Sequence, residues 1–163
     1  MKNSNNIKKK IILICSDGGH LAQILELEEW FTKYNYLLVT EISPSTLKLR
    51  DNYNIKYLKN RSKGKNRKLS FYWNLFINFF ISLKIIFSHF PKVIITTGSH
   101  TALPMFLIGK LLNIKLIWIL SFARIKSKAA SANIIYPLVD KFIVQWPDMV
   151  KHYKKAIYLG KIY

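Results

Sequence analysis

The chain has almost no means of cross-linking itself. Cys15 is its only cysteine, which excludes an intrachain disulfide or a thiolate metal cluster within one chain and points to a reducing compartment. Acidic residues are nearly as scarce, 8 among 163 against 26 lysines and arginines. With so few carboxylates, a hydrolase built on a carboxylate pair is not expected. No Ser/His/Asp signature, HExxH, P-loop or EF-hand pattern occurs. The apolar run Ile11 to Cys15 behind the basic N-terminus is too short for a signal-peptide core, and no secretion signal is expected.

What is present is a net charge of +18 on a chain whose residues are 50% hydrophobic. That combination excludes a disordered polycation and suits a folded domain facing an anionic surface, either nucleic acid or a membrane. The aromatic residues argue against nucleic acid, because they concentrate in one apolar segment instead of interleaving with cations on a sheet platform. That segment runs from Leu69 to Phe90 and is interrupted by Asn74, Asn78, Lys84 and His89. At 100° per residue, Asn74, Asn78, Ser82, Lys84, Ser88 and His89 gather into one arc of roughly 160°. A helix of this pattern is expected to lie on a membrane rather than span it, with its polar arc turned to water or to a sheet and Trp73, Phe76, Phe79 and Phe80 as membrane-binding residues; the alternative is that its apolar arc packs wholly on the sheet. It follows a basic connector, Lys59 to Lys68, that carries six cations and no apolar side chain.

Seven short runs rich in Ile, Val and Leu alternate with segments of helical period. They are Lys10 to Cys15, Tyr36 to Thr40, Ile55 to Leu58, Lys92 to Thr96, Lys115 to Ile119, Lys141 to Val144 and Ala156 to Leu159. Continuous apolar strands are buried on both faces, so the spacing predicts a single α/β domain over residues 1–163, a Rossmann-like doubly wound sheet, mostly parallel. Helices are expected over Leu21 to Phe31, Thr101 to Leu112, Ala129 to Leu138 and Pro147 to Tyr153, besides the aromatic one.

The chemistry concentrates in loops at the ends of strands. Ser16-Asp17-Gly18-Gly19-His20 joins the first strand to the first helix, where paired glycines and a helix N-terminus can hold a diphosphate with His20 at the mouth. The same residues also suit a tight turn with a capping histidine. Gly98-Ser99-His100-Thr101 follows the fourth strand and, in a parallel sheet, faces the same crevice. Ser99 and Thr101 can bind phosphate or sugar hydroxyls, or simply cap the helix. The third loop, Ser121 to Lys128, offers Arg124 and Lys126 to a diphosphate or stands as a solvated basic loop. Trp146 is placed either for sugar stacking or for packing.

In this order, SDGGHL, TTGSHTALP, SFARIKSK and QWPDM resemble the PssD/CpsF-type polysaccharide biosynthesis family. The chain is similar, too, to the membrane-anchor subunit of the eukaryotic UDP-N-acetylglucosamine transferase of lipid-linked oligosaccharide synthesis. The resemblance covers nearly the whole chain and implies the N-terminal, acceptor-side half of a GT-B glycosyltransferase, inactive without a separately encoded nucleotide-sugar-binding partner; neither a metal nor a cofactor is implied, since such enzymes can stabilise the leaving diphosphate with a helix dipole and cationic groups. It implies that Asp17, Gly18, Gly19, Gly98, Ser99, His100, Thr101, Ser121, Arg124 and Lys126 bind the acceptor, a sugar on a polyprenyl diphosphate. His20 is the candidate base for the acceptor hydroxyl, since an imidazole accepts a proton near neutral pH. The expected product is capsular or exopolysaccharide, made at the cytoplasmic face of the cell membrane. Two positions depart from the family pattern. Leu120 stands where the third motif usually opens with an acidic residue, and Lys161 where a small residue is usual, so a noncatalytic enhancer of the partner is the alternative reading.

Overall fold

The computed structural model describes residues 8–60 and 67–162. The strands are β1 (Lys10–Ile14), β2 (Asn35–Glu41), β3 (Ile55–Leu58), β4 (Val93–Thr96), β5 (Lys115–Ile119), β6 (Lys141–Val144) and β7 (Ala156–Tyr158). They form one sheet in the order β3-β2-β1-β4-β5-β6-β7, and every pairing is parallel. This is the Rossmann-like architecture expected from the sequence. Side chains alternate across it as the pleat requires. Ile12, Ile14, Val39, Ile94, Trp118 and Phe142 enter one core, whereas Ile11, Leu13, Leu38 and Ile95 enter the other.

Among the described residues six α-helices connect the strands: α1 (Gly19–Leu25), α2 (Glu28–Phe31), α3 (Pro44–Leu47), α4 (Arg67–His89), α5 (Leu103–Leu111) and α6 (Ala130–Ile135). The single helix expected over Leu21 to Phe31 is broken, because the backbone at Leu27 turns to φ −93°, ψ 11°. The expected helix over Pro147 to Tyr153 is a 3₁₀ segment, Pro147–His152, and those over Thr101 to Leu112 and Ala129 to Leu138 each contain a 3₁₀ turn. Most of the expected basic connector, residues 61–66, lies outside the described residues.

The long helix α4 is turned inside out. The middle of its polar arc faces the protein, whereas Lys84 and Ser88 stay exposed: Asn78 is buried and holds both the backbone N–H and C=O of Lys59, at 2.8 and 2.9 Å, and Ser82 is fully buried. Ile85 and Ile86 complete the inward contact. Outward stand Tyr72, Trp73, Phe76 and Phe80, each more than half exposed, whereas Phe79 packs against the core. Leu107 and Leu111 on α5 and Ile134 on α6 are also exposed. By length and composition Leu69–His89 is long and apolar enough to cross a membrane.

Candidate functional site

In the strand order, the chain leaves β1 toward β2 on one side and meets β4 on the other, so the carboxyl ends of β1 and β4 flank the switch point where open α/β sheets bind ligands. A pocket of about 320 Å³ opens there, lined by Ser16 and His20 after β1, Thr97 to His100 after β4, Leu120, Ser121 and Arg124 after β5, and Ala129 to Ser131 at the start of α6. Trp118 contributes from β5; its buried indole N–H has no hydrogen-bond partner among the described residues.

His20 is fixed by the strand beside it. Its Nδ1 lies 2.9 Å from the Thr97 carbonyl oxygen, and the Thr97 hydroxyl donates to the His20 carbonyl at 2.8 Å. A carbonyl only accepts, so Nδ1 carries the proton and Nε2 keeps its lone pair. Burial, opposed by that hydrogen bond and assisted by the positive charges of Arg124 and His100, lowers the His20 pKa below the usual histidine range. The imidazole is therefore neutral at pH 7 and can accept a proton.

Gly98 makes this approach possible. It sits at φ +124°, and a Cβ there would come within 2.8 Å of the His20 ring. The next residue, Ser99, holds φ 93° without glycine's freedom. Such strain persists where surrounding contacts fix it, and it clusters at ligand sites. Here the fixing contacts are a relay: the Ser99 hydroxyl donates to Thr101 Oγ1 at 3.0 Å, and Thr101 in turn donates to the Glu41 carboxylate. His100 Nε2 lies 3.7 Å from the same carboxylate, and the Phe71 ring packs on His100 at 5.4 Å. Glu41 is nearly buried at the end of β2. The sequence reading missed it; the available signal was an acidic residue closing an otherwise apolar strand next to the crevice.

The expected site residues divide. His20, Gly98, Ser99, His100, Ser121 and Arg124 share the pocket. Asp17, Gly18, Gly19, Thr101 and Lys126 are not among its lining residues. Asp17 instead accepts hydrogen bonds from Ser43 at 2.6 Å and Ser45 at 2.9 Å, tying the first loop to the capping box that starts α3, and these bonds hold its pKa below the usual carboxylate range. Gly18 at φ 84° allows the turn. Trp146 packs: its indole donates to the Phe122 carbonyl at 2.7 Å, the two rings lie 4.9 Å apart, and Lys161 sits 5.0 Å over the indole. Leu120 is buried at the pocket wall. Cys15 is fully buried, and burial pushes its thiol up to about 12, which makes it inert as a nucleophile.

The family profile described as "Oligosaccharide biosynthesis protein Alg14 like" matches residues 11–162. Among curated proteins, the UDP-N-acetylglucosamine transferase subunit alg14 of Schizosaccharomyces pombe is 29% identical over 94% of this chain and 83% of its own. Among solved structures, MurG of Acinetobacter baumannii superposes with a TM-score of 0.69 at 14% identity over 95% of this chain and 44% of its own. The UDP-N-acetylglucosamine 2-epimerase of Rickettsia bellii gives 0.72 at 10% identity over 94% and 45%. The chain thus spans less than half the length of these structures, whose likeness is one of fold.

Proposed function

The chain belongs to the Alg14-like family of oligosaccharide biosynthesis proteins, and as a glycosyltransferase subunit within it, we propose, it holds the acceptor while a separate partner holds the nucleotide sugar. The observation that carries this reading is the switch-point pocket, in which a neutral histidine with a free lone pair faces the same space as Arg124 and the strained Gly98–Ser99 turn. The acceptor is a saccharide on a polyprenyl diphosphate, and the product belongs to capsular or exopolysaccharide synthesis. His20 Nε2 takes the proton of the acceptor hydroxyl as its oxygen attacks the anomeric carbon of the UDP-sugar. The C–O bond to the nucleoside diphosphate breaks in the same step, and the diphosphate leaves on the partner's side. Arg124 and the Ser121 hydroxyl hold the lipid diphosphate, the guanidinium by charge and the hydroxyl as a donor, while Ser99, whose hydrogen already goes to Thr101, fixes the turn beside them. Asp17, Gly18, Gly19 and Thr101 act one layer out, shaping the loops that carry these groups, and Lys126 adds positive charge from the same exposed loop as Arg124.

The subunit works at the cytoplasmic face of the membrane, attached through the outward face of α4. A spanning orientation would pull Asn78 and Ser82 from their buried places and set them in hydrocarbon. Lying flat keeps those contacts and gives Trp73, Phe76 and Phe80 to the interface.

The deciding experiment reconstitutes transfer from a UDP-sugar to a lipid-diphosphate acceptor with and without the partner. This chain alone should transfer nothing and bind UDP-sugar more weakly than about 1 mM; micromolar binding by it alone would sink the division of labour. Leu120, an apolar wall residue where an acidic one is the family habit, favours one second reading, a noncatalytic enhancer. Under that reading His20→Ala leaves the complex at full turnover, and a rise in activity on Leu120→Glu would mark the missing carboxylate as the disabling change.

A further inference from the structure

A second cavity of about 440 Å³ lies between α4, α5 and α6, with Tyr72, Phe76, Leu103, Leu107 and Ile134 among its walls. Three stretches of chain join it to the polar pocket. Helix α6 presents Ala130 and Ser131 to the pocket and, one turn later, Ile134 to the groove, a step of about 5 Å along the axis. The loop after β4 gives Ser99 and His100 to the pocket and continues into Leu103. On α4, Phe71 packs against His100 while Tyr72 lines the groove. A polar, cation-bearing pocket and an apolar groove lined by neighbouring residues of the same stretches of chain match an amphiphile with an anionic head.

We propose that the groove binds the head-proximal isoprene units of the polyprenyl diphosphate, so the acceptor is recognised by its tail as well as its head. This rests on the acceptor reading above. Charge complementarity names the occupant: Arg124 in the pocket, with Lys126 and Lys128 on the same loop, suits a diphosphate, and what continues from that position is wholly hydrocarbon in character. The volume is that of a small-molecule site, roughly 300–1,000 Å³. The rim residues Leu107 and Ile134 belong to the same exposed apolar face as α4, so a chain rising from a bilayer enters without crossing water.

The test is calorimetry on the full chain in solution, without membranes, using farnesyl diphosphate, isopentenyl diphosphate and inorganic diphosphate. Farnesyl diphosphate should bind at least about tenfold tighter than isopentenyl diphosphate, since each methylene buried adds to affinity. Ile134→Trp, which fills the groove from an exposed position, and Leu107→Asn should each abolish that advantage and leave inorganic diphosphate binding unchanged. Trp73→Ser with Phe80→Ser, outside the groove, should leave the advantage intact while lowering vesicle flotation. Measurable diphosphate binding with no gain from the farnesyl chain, or a gain that survives both groove variants, overturns the groove and spares the acceptor reading. No binding of any of the three overturns both. A dimer that Ile134→Trp dissolves while the farnesyl gain persists would assign the groove to a second copy of the chain and overturn the proposal.

Discussion

At the scale of single residues, the Thr97 carbonyl decides what His20 can do. It fixes the proton on Nδ1, and burial favours the neutral ring, so as the proposed base His20 would be in its working form near pH 7. Because the folded pKa lies below the ordinary value of about 6.5, the acid-side midpoint of kcat/KM for the proposed partnered enzyme should fall below pH 6.5. A decline centred above pH 6.5 would mean that another group titrates. His20→Ala should cost about 10²- to 10⁴-fold in turnover. Gly98→Ala forces a Cβ against the imidazole and a side chain onto φ +124°. It should destabilise the fold by roughly 1–3 kcal/mol in a denaturant titration, besides lowering turnover. Cys15, with its thiol pushed up to about 12, should ignore thiol reagents at pH 8 in the native protein and react fully once guanidinium unfolds it.

Among the elements, α4 sets legible and illegible features side by side. Its polar arc is plain in the sequence, since side chains recur every 100°, but the periodicity does not tell whether that arc meets water or protein. The backbone ends of β3 answer it: Lys59 needs partners and Asn78 supplies both. Asn78→Ala should therefore cost roughly 1–3 kcal/mol, read by chemical denaturation. Trp73→Ser with Phe80→Ser should change stability by about 0.5 kcal/mol or less, because both side chains are more than half exposed. The strands were readable because burial on both faces leaves an unbroken apolar run, and Ile55–Leu58, Lys115–Ile119 and Lys141–Val144 end where the sequence places them. The break at Leu27 and the short α3 were not, since one depends on a single turned backbone and the other on four residues held by the Ser43–Thr46 capping box. Of the site, the glycine-bearing loops were legible as motifs. The partnership of Glu41 with Thr101, 60 residues apart, is tertiary and left no local pattern.

For the whole molecule, the excess of cations and the outward aromatic face act together. Flotation with anionic vesicles should be strong at low salt and weaken as ionic strength shortens the screening length from about 10 Å at 0.1 M to 3 Å at 1 M. Neutral vesicles should hold the protein by the aromatic face alone; failure to float with any vesicle would remove the membrane assignment. The sheet order has a consequence for how the chain is made. β1 pairs with β2 at once, but its other neighbour, β4, starts about 80 residues later, and α4 is synthesised between them. At roughly 5–20 residues per second, β1 waits several seconds on the ribosome with one edge open. Helix α4 ends at His89, four residues before β4 starts, so it leaves the ribosome just ahead of the strand that completes the sheet beside β1. Under the proposed attachment, a bilayer and the unfinished sheet would then compete for the same helix, with Asn78 and Ser82 giving the sheet the polar face and the aromatic face left to the lipid.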